Sequence, residues 1–146
     1  MLRIEISNEH AFLLDESRLK KAIRSILKDA EIEEGEISVA IVSDDEMHML
    51  NRKYLDHDYP TDVLSFVLEE EEGRLDGEII ASSDYAAKEA ARYGWTADDE
   101  VLLYVIHGTL HLVGHDDQQP AARQKMRERE KHYLSLFGLT PRYEAN

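Results

Sequence analysis

Val101-Leu-Leu-Tyr-Val-Ile-His107-Gly108-Thr-Leu-His111-Leu-Val-Gly114-His115-Asp116-Asp117 is an apolar run that ends in histidines, a glycine and two acids. It reads as an apolar helix, expected over about 98–113. Residues four apart share a helix face, with side chains roughly 5–6 Å apart, so His107 and His111 can aim ring nitrogens at one ion. A straight helix cannot add a third ligand, because 107, 111 and 115 would spread over about 12 Å of axis, whereas metal bonds are about 2 Å long. Gly114 offers the way out: glycine tolerates the left-handed backbone that ends many helices, so the chain can turn a residue from 115–117 toward the ion. Asp117 is the preferred third ligand, with His115 and Asp116 as the other candidates.

The spacing His-x-x-x-His-x-x-Gly-x-x-ligand is that of metzincin-type zinc hydrolases, with Asp117 at the position where those carry histidine. Two histidines and a carboxylate are an accepted catalytic zinc set that leaves a position open for water. The expected cofactor is one zinc ion per chain. Protease versions place a glutamate base directly after the first histidine. Here that residue is Gly108, so peptide hydrolysis lacks its local base.

Three segments together resemble the YbeY family of bacterial metal-dependent endoribonucleases. The first is the His107 to Asp117 run, similar to the family's H-G-x-L-H-L-x-G-[YH]-D-H. The second comprises Leu50, Asn51 and Tyr54, followed by Pro60-Thr61-Asp62-Val63-Leu64-Ser65-Phe66. The third is Gly77-Glu78-Ile79-Ile80. The resemblance implies a single-strand endoribonuclease acting in 16S ribosomal RNA 3′-end maturation and ribosome quality control. Its implied partners are single-stranded RNA and the small ribosomal subunit, not DNA and not a membrane.

Two positions depart from the family pattern. Its third metal histidine falls on Asp117, which lowers the charge of the site by one. Its phosphate-binding arginine falls on Leu55, with Arg52 and Lys53 as the nearby cations that could replace it. The catalytic candidates are therefore His107, His111, Arg52, Lys53 and Asp62, with Asp62 as an external base and Thr61, Asp62 and Ser65 as candidates for shaping the substrate groove. His57 is read as an ordinary loop residue beside that segment. Two competing readings are a non-catalytic ribosome-assembly factor with a structural metal and an amide or peptide metallohydrolase.

Composition bounds these readings. The 146 residues fit one domain, 1–146, and 42% hydrophobic content supports a core. The absence of cysteine excludes thiolate zinc ligation and agrees with a reducing cytoplasm. The start, Met-Leu-Arg-Ile-Glu-Ile, alternates rather than forming a signal peptide's apolar core, and no window has the apolar length of a membrane span. A formal net charge of −14 argues against general nucleic-acid coating. Lys20, Lys21, Arg24 and Lys28 nevertheless cluster on the first expected helix, where a solvated face is the simpler reading.

Periodicity sets the remaining elements. Strands are expected at 2–6, 37–42, 63–68 and 75–81, with Glu69 to Gly73 as a solvated acidic turn. Helices are expected at 17–30, from a Ser43 or Asp44 cap to about Tyr54, from a Ser82 or Ser83 cap to Tyr93, at 98–113 and at 118–137, with 55–60 as a loop. His10, His48 and His132 lie outside any ligand pattern. The order implies an α+β domain: a small mixed four-stranded sheet packed with about five helices, including a zinc-hydrolase-like metal helix.

Overall fold

The computed structural model describes residues 1–8, 14–50, 63–115 and 119–140. Within them the chain runs β1 (Leu2–Asn8), α1 (Glu16–Asp29), β2 (Gly35–Val42), α2 (Asp44–Leu50), β3 (Val63–Glu71), β4 (Arg74–Ser82), α3 (Ser83–Tyr93), α4 (Ala97–Leu112) and α5 (Pro120–Ser135). The sheet order is β1-β2-β4-β3. β2 pairs in parallel with both β1 and β4, and β3 closes the edge antiparallel to β4. This is the expected mixed sheet with five helices.

Alternation along the strands sorts side chains onto two faces. Ile37, Val39 and Ile41 of β2, with Leu75, Ile79 and Ala81 of β4, enter the main core alongside α1 and α4. Val42, Leu64 and Ile80 point the other way and form a smaller cluster with Met47 of α2. α4 lies at the centre of the main core, with Val101 to Ile106 buried without interruption. A helix that is apolar all round has to be enclosed in this way. Its start is secured twice: the Thr96 hydroxyl accepts from Asp99 N–H, and Arg18 of α1 bridges Asp98 and Asp99 at 3.2 and 3.0 Å.

One expectation fails at the β3–β4 hairpin. The acidic stretch is not a five-residue turn: β3 continues to Glu71, past a bulge between Val67 and Glu69, and only Glu72 and Gly73 remain for the turn. Glu71 pairs with Arg74, whose guanidinium is held above its usual range by Asp76, with Glu69 and Glu34 adding to the effect. Charge on an edge strand also discourages pairing with another chain, so the glutamates suit a strand here as well as a turn.

α2 is anchored where it leaves the sheet. Asp44 accepts from the Ser82 hydroxyl and from the Lys88 ammonium, both at 2.7 Å, which ties α2 to the β4–α3 junction. The residues that follow α2, including Arg52, Lys53, Leu55, His57, Thr61 and Asp62, lie outside the described residues.

Candidate metal centre

α4 delivers His107 and His111 to one point. Their Nε2 atoms are 3.0 Å apart, and the rings meet edge to face with centroids separated by 4.6 Å. On the far side of His107, Nδ1 lies 2.5 Å from Glu130 Oε2 of α5. An ionised carboxylate can only accept, so Nδ1 carries the proton in this pair and His107 Nε2 presents a lone pair. At 3.0 Å the two Nε2 atoms either share a proton, one donating to the other, or direct both lone pairs at one cation. Bonds of about 2.0–2.1 Å from each nitrogen can reach one ion across that separation. The donor chemistry and tautomer therefore fit a borderline metal ion such as zinc.

Glu130 is the site residue that the sequence reading missed. It is only 3% exposed and sits on the buried stripe of α5 with Met126, Tyr133 and Leu134. A carboxylate on an apolar stripe needs a polar partner, because burying it unpaired is costly. That irregularity in the helix pattern was the available signal. Carboxylates placed behind ligating histidines fix ring tautomer and orientation, which is the geometry seen here.

The glycine turn takes its expected form. α4 ends at Leu112, Gly114 adopts φ +102°, Gly114 N–H donates to His111 O, and His115 N–H donates to Leu110 O, both at 3.0 Å. These two bonds are the Schellman pattern of helix termination. They bring the chain back beside α5, where burial first, and then the charges of Lys125 and Arg129, hold the His115 imidazole below its usual pKa. Asp116 and Asp117 lie outside the described residues. Among the described residues no group of three or more histidine, aspartate or glutamate side chains is placed to hold a metal.

Gly108 has a packing reason. A Cβ there would lie 3.0 Å from Ile79 Cγ2 and from Ser65 Oγ, and 3.3 Å from Val63 Cγ2. The Ser65 hydroxyl donates to Gly108 O at 3.2 Å, so Ser65 ties β3 to α4. Position 108 thus faces the sheet at close range and has no room for the glutamate base of the proteases. Gly108→Glu is expected to lower stability by about 3 kcal/mol or more, through overpacking and a buried charge, without creating peptidase activity. Thermal unfolding checks this, and an unchanged melting temperature would contradict the packing.

An α+β domain that presents a converging histidine pair from its central helix, backed by a carboxylate from the last helix, is a hydrolase-like scaffold. The model of the endoribonuclease YbeY family matches residues 4–138, and the chain belongs to that family. Similar curated proteins, each called endoribonuclease YbeY, come from several bacteria. The Rhodopirellula baltica protein is 45% identical over 72% of this chain, a match spanning 55% of the relative's own length. The Desulfitobacterium hafniense protein is 40% identical over 80% of each chain. The Bacillus subtilis protein is 34% identical over 94% of this chain and 97% of its own. Among solved structures, the solution structure of TM1509 from Thermotoga maritima is similar, with a TM-score of 0.61 and 28% identity, covering 100% of this chain and 97% of the other. Among the described residues no helix is long and apolar enough to cross a membrane.

Proposed function

We propose that this protein is a metal-dependent endoribonuclease acting on single-stranded RNA in 16S ribosomal RNA 3′-end maturation and quality control, in the cytoplasm and in association with the small ribosomal subunit. One observation carries the reading within a family of endoribonucleases: the 3.0 Å convergence of His107 and His111 Nε2, with Glu130 holding the far side of His107. In this reading His107, His111 and Asp117 hold one zinc ion. When bound, such an ion supplies positive charge that polarises a phosphoryl oxygen and acidifies a water.

The chain's own residues do the rest. Glu130 keeps the proton on His107 Nδ1 and the lone pair on Nε2, and α4, gripped by β3, β4 and α5, holds the two rings in register. Asp62 is the assigned external base. Arg52 and Lys53 stand in for the family arginine replaced by Leu55, offsetting charge that builds on the phosphate. The amide-hydrolase reading lacks a base at position 108 for the steric reason given above.

Cleavage of a labelled single-stranded oligoribonucleotide by the purified chain tests the function. Neutralising Arg52 and Lys53 together is expected to slow cleavage by about 10²–10³-fold, the usual worth of one well-placed group that stabilises transition-state charge. Metal content should stay unchanged. Leu55→Arg is expected to accelerate cleavage. Parent rates in all of these variants would remove the phosphate-binding role from this segment and favour an assembly factor with a structural metal.

A further inference from the structure

The chain is strongly acidic, yet its charge is divided sharply between two parts of the fold. α1 and α5 each carry five basic and two acidic residues. Together they hold ten of the 17 basic residues and four of the 31 acidic ones, a balance of +6. The remaining seven basic and 27 acidic residues leave −20 for the rest of the molecule. A local potential follows the arrangement of charge and not the total.

The two helices form one surface. Tyr133 OH of α5 donates to Asp29 of α1 at 2.6 Å, Arg129 lies 3.8 Å from the same carboxylate, and the Lys21 ammonium sits 5.9 Å from the centre of the Phe137 ring. Lys21, Lys28 and Lys125 are all exposed. The surface also reaches the histidine site. Glu130, which touches His107, directly follows Arg129 in α5.

We propose that the basic face of α1 and α5, centred on Lys21, Lys28, Lys125 and Arg129, binds the phosphate backbone of single-stranded RNA beside the cleaved bond. The inference rests on the endoribonuclease reading and adds to it where the substrate strand runs. Charge complementarity and continuity with the histidine site favour RNA over another acidic macromolecule. Against a remainder of −20, this face offers a polyanion a favourable approach.

The test is binding of a fluorescent single-stranded oligoribonucleotide to the full chain over a range of salt concentrations. The probe is compared between the parent, a Lys21→Gln/Lys28→Gln/Lys125→Gln variant and the matching triple lysine-to-arginine variant. Arg129 is left in place because it also packs on Tyr133. The glutamine variant is expected to bind at least about tenfold more weakly at low salt. Its slope of log K against log salt should be shallower by about 2, at about 0.7 per lost phosphate contact. The arginine variant should retain both values, and all three proteins should share one melting temperature and one metal content. Equal affinity and slope in the glutamine variant and a parent that binds RNA would overturn this face alone. So would the break-up of a self-associated form with unchanged RNA affinity, which would make the face a contact between copies. A parent that binds no RNA would remove the functional reading as well.

Discussion

Replacing either His107 or His111 by alanine is expected to abolish metal retention and to reduce RNA cleavage by at least about 10³-fold, the scale of the several kcal/mol that a catalytic ion contributes. Both rings are only partly buried on a helix that alanine favours, so the fold should survive. The two variants should differ in one respect. His107→Ala also removes the ring that donates to buried Glu130, and a hydrogen bond to a charged group is worth about 1.5–3 kcal/mol. The metal-free His107→Ala protein should therefore unfold more easily than metal-free His111→Ala. His48→Ala and His132→Ala should change neither metal content nor cleavage, since His48 lies on α2 and His132 is an exposed residue stacked near Tyr133. Elemental analysis, cleavage kinetics and denaturant unfolding of the four variants check these outcomes. Retained metal in His111→Ala would be incompatible with the assignment.

Glu130→Gln is expected to weaken metal affinity by about 10–100-fold while leaving the fold intact, the usual consequence of altering the group behind a ligating histidine. Glutamine preserves the shape of the side chain and can still accept from His107 Nδ1, but it removes the negative charge that makes the imidazole a better donor. Glu130→Ala should cost more, because it also opens space against α4. Competition titration with a coloured chelator measures the affinity. The Nδ1 proton of His107, followed by NMR, reports whether the hydrogen bond persists. Parent affinity in both variants would reduce Glu130 to a packing residue.

The parts of the fold that depend on local period and local chemistry could be read from the chain alone. α4 and its termination at Gly114 follow from an apolar run, its flanking acids and a glycine. Strand and helix order followed for the same reason. The acidic part of β3 did not, because consecutive glutamates look like a solvated turn until Arg74, Leu75 and Asp76 are placed opposite them. Glu130 lies 23 residues from its histidine, and only the packing of α5 on α4 brings them together. Gly108 was legible as a missing base, whereas the crowding by Ile79, Ser65 and Val63 belongs to the tertiary arrangement. The basic cluster on α1 looked like an ordinary solvated face because its partner, α5, is about 100 residues away in the sequence and contributes half of the surface.

The most direct test of the central claim is single-stranded RNA cleavage by chelator-stripped protein during titration with zinc. If His107 and His111 form the metal-holding centre of a ribonuclease, stripped protein should be inactive. Activity should return in proportion to bound zinc, saturate at about one ion per chain and not return in the His107→Ala/His111→Ala variant. Full cleavage by the stripped protein, or zinc binding and activity that survive in the double variant, would contradict it.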